Sequence, residues 1–118
     1  MTTAVPFAEK RTHRRIPLED VTVEICTPRG VSDLVDICPI MNLSRSGMLF
    51  ECHHRYRLSQ TLRLTFVLPE SIIIFRTNAR VAHTYSANMR TFVGVHFEKL
   101  CTAELRAIDH FIEQRCGE

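Results

Sequence analysis

The sequence lacks any apolar run long enough to cross a bilayer. Stretches such as "IIIF" at residues 72–75 are its longest, and a spanning helix needs roughly 20 predominantly apolar residues. It also lacks an N-terminal segment of signal-peptide character, so a soluble, cytoplasmic protein is expected. There is no C-x-x-C pair: the cysteines stand at 26, 38, 52, 101 and 116, an odd and widely spaced set. That excludes a disulfide framework or a structural zinc site and fits a reducing compartment. No internal repeat and no second domain is visible, and 118 residues can bury a core without metals or cross-links. With 45% hydrophobic and 24% charged residues, neither disorder nor a fibrous class is indicated.

Acidic residues are missing from one place where they would matter. The stretch "KRTHRRIPL", residues 10–18, gathers Lys10, Arg11, His13, Arg14 and Arg15 with no carboxylate among them. The chain carries 15 Lys and Arg against 13 Asp and Glu; with Lys10, Arg11, Arg14 and Arg15 set aside, 11 remain against 13. The excess therefore sits in one short segment rather than over a whole face, which favours a small anionic partner. Arg supplies 13 of the 15 cations, and its planar fork suits phosphates and purine edges.

Pro17 disfavours helix at Ile16, so residues 1–17 read as a flexible basic arm, and residues 18–118 as the folded domain. Alternation then places Val21, Val23 and Ile25 on one strand face, with Thr22, Glu24 and Cys26 on the other. "TPRG" is a turn. "LVDICPIMNLS" and "MLFEC" read as two strands joined at 42–47, with Met48, Phe50 and Cys52 on one face. "TLRLTFVL" points Leu62, Leu64, Phe66 and Leu68 one way and ends at "PES", a hairpin signal. "IIIFRTNARVAHTY" returns as a long strand, "SANMR" turns, and "TFVGVHF" follows, with Gly94 marking a bulge or a close backbone approach. That makes six strands.

From Cys101 the period becomes helical. Leu105, Ile108 and Ile112 recur, Phe111 widens the stripe, Thr102 can cap, Glu104 suits the first turn and Gly117 can end the helix. A mainly β fold follows: a six-stranded antiparallel β-barrel with a C-terminal α-helix over about 102–116.

Two motifs carry chemistry. The first is Arg11-x-x-x-Arg15, whose guanidinium groups can bond guanine O6 and N7, pair with phosphate or lie over a purine. Taken alone the spacing is weak evidence, because Arg76 and Arg80 repeat it within a strand. The second is Asn42-x-Ser44-x-x-Gly47, "NLSRSG". Asn matches a base edge, Ser adds a hydroxyl and Gly accepts unusual backbone geometry; taken alone, the same residues make an Asx-type turn.

In combination and order, the two motifs resemble the PilZ family of cyclic di-GMP receptors. The likeness spans "RRIPL", "NLSRSGMLFE", "ARVAHTY", "FVGVHFEKL" and the final helix. It implies a non-enzymatic bacterial effector, without cofactor, whose ligand is cyclic di-GMP. Arg11 and Arg15 would contact guanine Hoogsteen edges and phosphates, Asn42 and Ser44 the other base, and Gly47 would allow close approach; Lys10 and Arg14 are secondary candidates. Many members end the loop in Gly-Gly, whereas this chain has Ser46-Gly47. Ligand binding is expected to order the arm over the barrel and to signal, as a stand-alone monomer or homodimer, through a protein partner in motility, pilus, biofilm or exopolysaccharide control. Whether one ligand or a stacked pair is held stays open.

Two other readings stand beside this one. A PilZ-like adaptor would bind protein with little nucleotide affinity, and a nucleic-acid binder would use the arm on phosphates with steep salt dependence. "ECHH", Glu51–His54, invites a metal or Cys-His reading, but adjacent strand residues face opposite ways and no second ligand cluster has metal spacing, so a strand-end role is expected. His83 and His96 read as structural, and Cys26, Cys38 and Cys101 as small core hydrophobes.

Overall fold

Alternating apolar residues commit a strand to one buried face, and seven strands form in the computed structural model, which describes residues 16–17, 21–27 and 34–116. The strands are β1 (Ile16–Pro17), β2 (Thr22–Cys26), β3 (Leu34–Leu43), β4 (Gly47–Cys52), β5 (Thr61–Val67), β6 (Ile74–Ala87) and β7 (Arg90–Phe97); one helix, α1 (Thr102–Cys116), follows. The order is β1-β3-β2-β5-β6-β7-β4, and an additional β3–β4 pairing closes the ring. All pairs are antiparallel. The result is the six-stranded barrel read from the sequence, with β1 added as a two-residue strand on β3. Closure leaves no long free edge among these six strands.

The core lies inside the ring. Val23, Ile25, Cys38, Met48, Phe50, Leu62, Leu64, Phe75, Val81 and Val95 fill it, and Ile108, Phe111 and Ile112 of α1 join the same cluster. Each large side chain withdrawn from water in this way stabilises the fold by about 1.5–3 kcal/mol. Phe66 and Phe75 stack with centroids 4.5 Å apart.

Several local expectations shift. β6 begins at Ile74 rather than residue 72, and Ile72 is 98% exposed: the connection after β5 runs through 68–73, with Glu70 at φ 64°. The β6–β7 turn is the two-residue pair Asn88–Met89, both at positive φ (52° and 65°), the arrangement whose twist matches a tight hairpin. Thr102 is the first helical residue, not the cap. Cys101 precedes it, and Glu104 reaches back to accept the Cys101 N–H at 2.9 Å, as in a capping box. Cys101 is therefore exposed and Cys26 half-buried, while Cys38 and Cys52 are the core thiols. Gly117 and most of "TPRG" lie outside the described residues.

Candidate functional site

The barrel alternation would send Asn42 inward. Cys38 and Ile40 are buried, so a regular strand would put Asn42 in the core and Leu43 outside. The register with β4 instead jumps between Ile40↔Phe50 and Asn42↔Leu49. One extra residue, Met41, bulges there, and Leu43 becomes fully buried. Asn42 now lies opposite Leu49, which stands between the core residues Met48 and Phe50 and so faces out. A bulge of this kind re-aims a side chain.

β6 repeats the device. Its pairing with β7 jumps between Val81↔Val95 and His83↔Gly94, and the extra Ala82 turns His83 onto the outer face beside Gly94. Gly94 is also opposite Leu49. Pro17 of β1 is opposite Asn42. Register thus strings Pro17, Asn42, Leu49, Gly94 and His83 along one cross-strand row. At roughly 4.8 Å per strand, Asn42 and His83 lie about 14 Å apart.

Gly94 forms a notch in that row. A Cβ built on it would meet His83 Cε1 at 2.3 Å and Nε2 at 2.4 Å, so the imidazole leans over the glycine. Beside the row, His83, Tyr85 and Phe92 form an aromatic ladder, with centroids 6.3 and 5.2 Å apart. Arg90 lies 5.3 Å over Phe92 and donates from Nε and Nη2 to the two Glu51 oxygens at 2.9 and 2.6 Å. That pairing holds the Glu51 carboxyl below its usual range.

The 42–47 loop is tied tightly. Ser44 is fully buried, and its Oγ accepts the amides of Ser46 at 3.2 Å and Gly47 at 3.3 Å. The Ser44 amide donates to Gly47 O at 2.9 Å, and Phe97 N–H to Ser46 O at 2.9 Å. Gly47 packs so closely on β7 that a Cβ would stand 2.0 Å from Val95 O. The glycine is thus required by the barrel's own backbone. Arg45, half-exposed, meets Asp109 of α1 through Nε at 2.9 Å.

Of the residues singled out by sequence, the structure brings Asn42, Ser44 and Gly47 together at one end of the outer row. Lys10, Arg11, Arg14 and Arg15 lie outside the described residues, although Ile16 and Pro17, next along the chain, pair with Leu43 and Asn42. Sequence reasoning passed over His83 as a site residue. Its only signal was Gly94, and the bulge that aligns the two is a property of pairing.

"ECHH" is a strand-end anchor. The Asp36 carboxylate accepts the Ile37 amide at 2.9 Å and the His53 amide at 3.3 Å, and meets His54 Nδ1 at 3.2 Å. Cys52 Sγ donates to His54 O at 3.0 Å. Among the described residues, no group of three or more His, Cys, Asp or Glu side chains is placed to hold a metal, and no helix is long and apolar enough to cross a membrane.

The family description "PilZ domain" matches residues 9–114, a span that takes in both motifs, the whole barrel and most of α1. The chain belongs to the PilZ domain family. Its fold is similar to three solved structures of that kind. The Bacillus subtilis inhibitor of motility (MotI/DgrA) superposes with TM-score 0.74 at 16% identity, over 90% of this chain and 51% of that one. Escherichia coli YcgR, solved in complex with c-di-GMP, gives 0.73 at 11% identity, over 89% and 45%. MrkH of K. pneumonia, also a c-di-GMP complex, gives 0.71 at 13%, over 87% and 51%. This PilZ chain spans about half the length of these relatives, and at such identities the likeness establishes the fold. No curated protein matches it.

Proposed function

We propose that this PilZ domain is a receptor for cyclic di-GMP that works as an effector rather than an enzyme. The observation that carries the reading is the outer row: two bulges turn Asn42 and His83 outward on either side of Leu49 and Gly94, and β1 delivers the end of the arginine arm to Asn42. Family membership and the complexes of YcgR and MrkH support the choice of ligand. One guanine would bond Asn42, the floor of Leu49 and Gly94 would face the macrocycle, and the His83 ring would close the far end by stacking. Arg11 and Arg15, with Lys10 and Arg14 beside them, would hold guanine edges and the two phosphates. Binding folds the arm over this face, and the altered surface is what a cytoplasmic protein partner reads.

Titration calorimetry of cyclic di-GMP, with GTP as the control and Arg15→Ala beside the wild type, tests this. Specific binding that the substitution abolishes is expected; no binding by wild type overturns it. A second reading, a protein adaptor without nucleotide affinity, is favoured by one observation. Ser44 and Gly47 both serve the barrel directly, so two motif positions have reasons to be kept without a ligand.

A further inference from the structure

The receptor reading leaves Arg45 unassigned, though it sits at the centre of the motif loop. Its backbone cannot travel far, because Ser44 Oγ holds the amides on its far side and Phe97 holds Ser46 O. Its side chain is the mobile part. The guanidinium rests on Asp109, the residue after the buried anchor Ile108 on α1. Among the described residues this is the ion pair that ties α1 to the barrel; the remaining attachment is the apolar stripe Ile108, Phe111 and Ile112 with Leu100 and Ala107.

Both partners are about two-fifths exposed, at 41% and 43%, so the pair is screened by water and weak. Arg45 meets Asp109 through Nε, whereas Arg90 grips Glu51 with both Nε and Nη2. A phosphate placed over the loop offers the guanidinium a paired, charge-assisted contact that is the stronger of the two.

We propose that Arg45 is a ligand-responsive arginine: on binding, its guanidinium leaves Asp109 for a phosphate of the cyclic dinucleotide, and α1 loses its ionic tether to the motif loop. This rests on the receptor reading and adds a route by which occupancy reaches the helix. Because Asp109 and the ligand compete for one group, the coupling is reciprocal. Removing the acid favours the ligand, and binding the ligand loosens the helix.

The experiment is calorimetric titration of cyclic di-GMP into wild type, Asp109→Asn, Arg45→Ala and the double variant, with hydrogen exchange across residues 102–115. Asp109→Asn is expected to tighten binding about two- to fivefold, the range of an exposed pair. Arg45→Ala is expected to weaken it about tenfold, and the double variant to bind like Arg45→Ala alone. Ligand should speed exchange in α1 of the wild type, and Asp109→Asn should show the faster exchange before any ligand is added. Wild-type binding with Asp109→Asn unchanged or weaker, or with equal α1 exchange in both states, overturns this inference and leaves the receptor intact. No wild-type binding overturns the receptor reading, and this inference with it.

Discussion

Gly47→Ala separates the two explanations of the motif glycine, as a place for ligand approach or as a requirement of the barrel. The added methyl would sit 2.0 Å from Val95 O, 3.0 Å from Val95 C and 3.3 Å from His96 Cα, where atoms rest at roughly 3.5 Å. All three neighbours are backbone. Gly47 is paired with His96, and the loop before it is fixed by Ser44 and by Phe97, so neither strand can yield alone. Relief means opening the β4–β7 ladder at its end. Overpacking costs about 1–3 kcal/mol, and a lost hydrogen bond about 1 kcal/mol more, together roughly 2–4 kcal/mol. The unfolding entropy is about 2.1 cal/mol/K for each of the 118 residues, which makes this a fall of roughly 8–16 °C in Tm.

Gly94→Ala is the matched control. Its methyl would first meet His83 ring atoms, at 2.3–2.9 Å, the end of a side chain that can shift where backbone cannot, at a cost of about 1 kcal/mol, or roughly 4 °C. Thermal melts followed by circular dichroism, with urea titrations to check that the denaturant slope is unchanged, measure both. If Gly47→Ala melts within 2 °C of wild type, or no lower than Gly94→Ala, the argument that β7 demands this glycine is wrong.

Three further outcomes follow from the structure. Ser44→Ala strips the amides of Ser46 and Gly47 of their buried acceptor and should cost about 1–3 kcal/mol in urea unfolding. Tyr56 is buried, with a phenol that burial pushes to a raised pKa and whose Oη has no hydrogen-bond partner among the described residues; Tyr56→Phe should be neutral or stabilising by about 1 kcal/mol in the same assay. Burial alone would raise the Asp36 carboxyl, but hydrogen bonds from His54, the His53 amide, Cys38 and the Ile37 amide bring it below the ordinary 3.8. Its stabilisation is thus present above that value and lost as pH falls through the lower folded pKa, so wild-type stability should drop more steeply below about pH 4 than that of Asp36→Asn.

Alternation made most of the barrel readable, because burial on one face forces period two: Val23 and Ile25, Met48 and Phe50, and Leu62, Leu64 and Phe66 are all where the pattern put them. The bulges at Met41 and Ala82 escaped, since an extra residue is defined against a partner strand that the local pattern does not contain. They are what convert a strand-embedded Asn42 and His83 into surface groups. The cap escaped for a different reason. Thr102 is the better capping side chain, but the signal that decided the position was Glu104, three residues beyond Cys101.

Asn42 is where receptor and adaptor part company. Ser44 staples a turn and Gly47 clears a backbone, so substitution at either loses stability whatever the domain binds. Asn42 stands on the outer face, half-buried, in a strand that Thr would suit better on intrinsic grounds, and the Met41 bulge is what aims it outward. An amide there makes sense as a base-edge donor and acceptor. Asn42→Thr should therefore melt within about 1 kcal/mol of wild type while weakening cyclic di-GMP binding by about tenfold or more in calorimetry, the loss of a paired polar contact that leaves the ligand's own groups unmatched. If instead the variant binds normally, the row is not the ligand's floor; if it unfolds, Asn42 belongs with Ser44 and Gly47 as part of the barrel, and the adaptor gains.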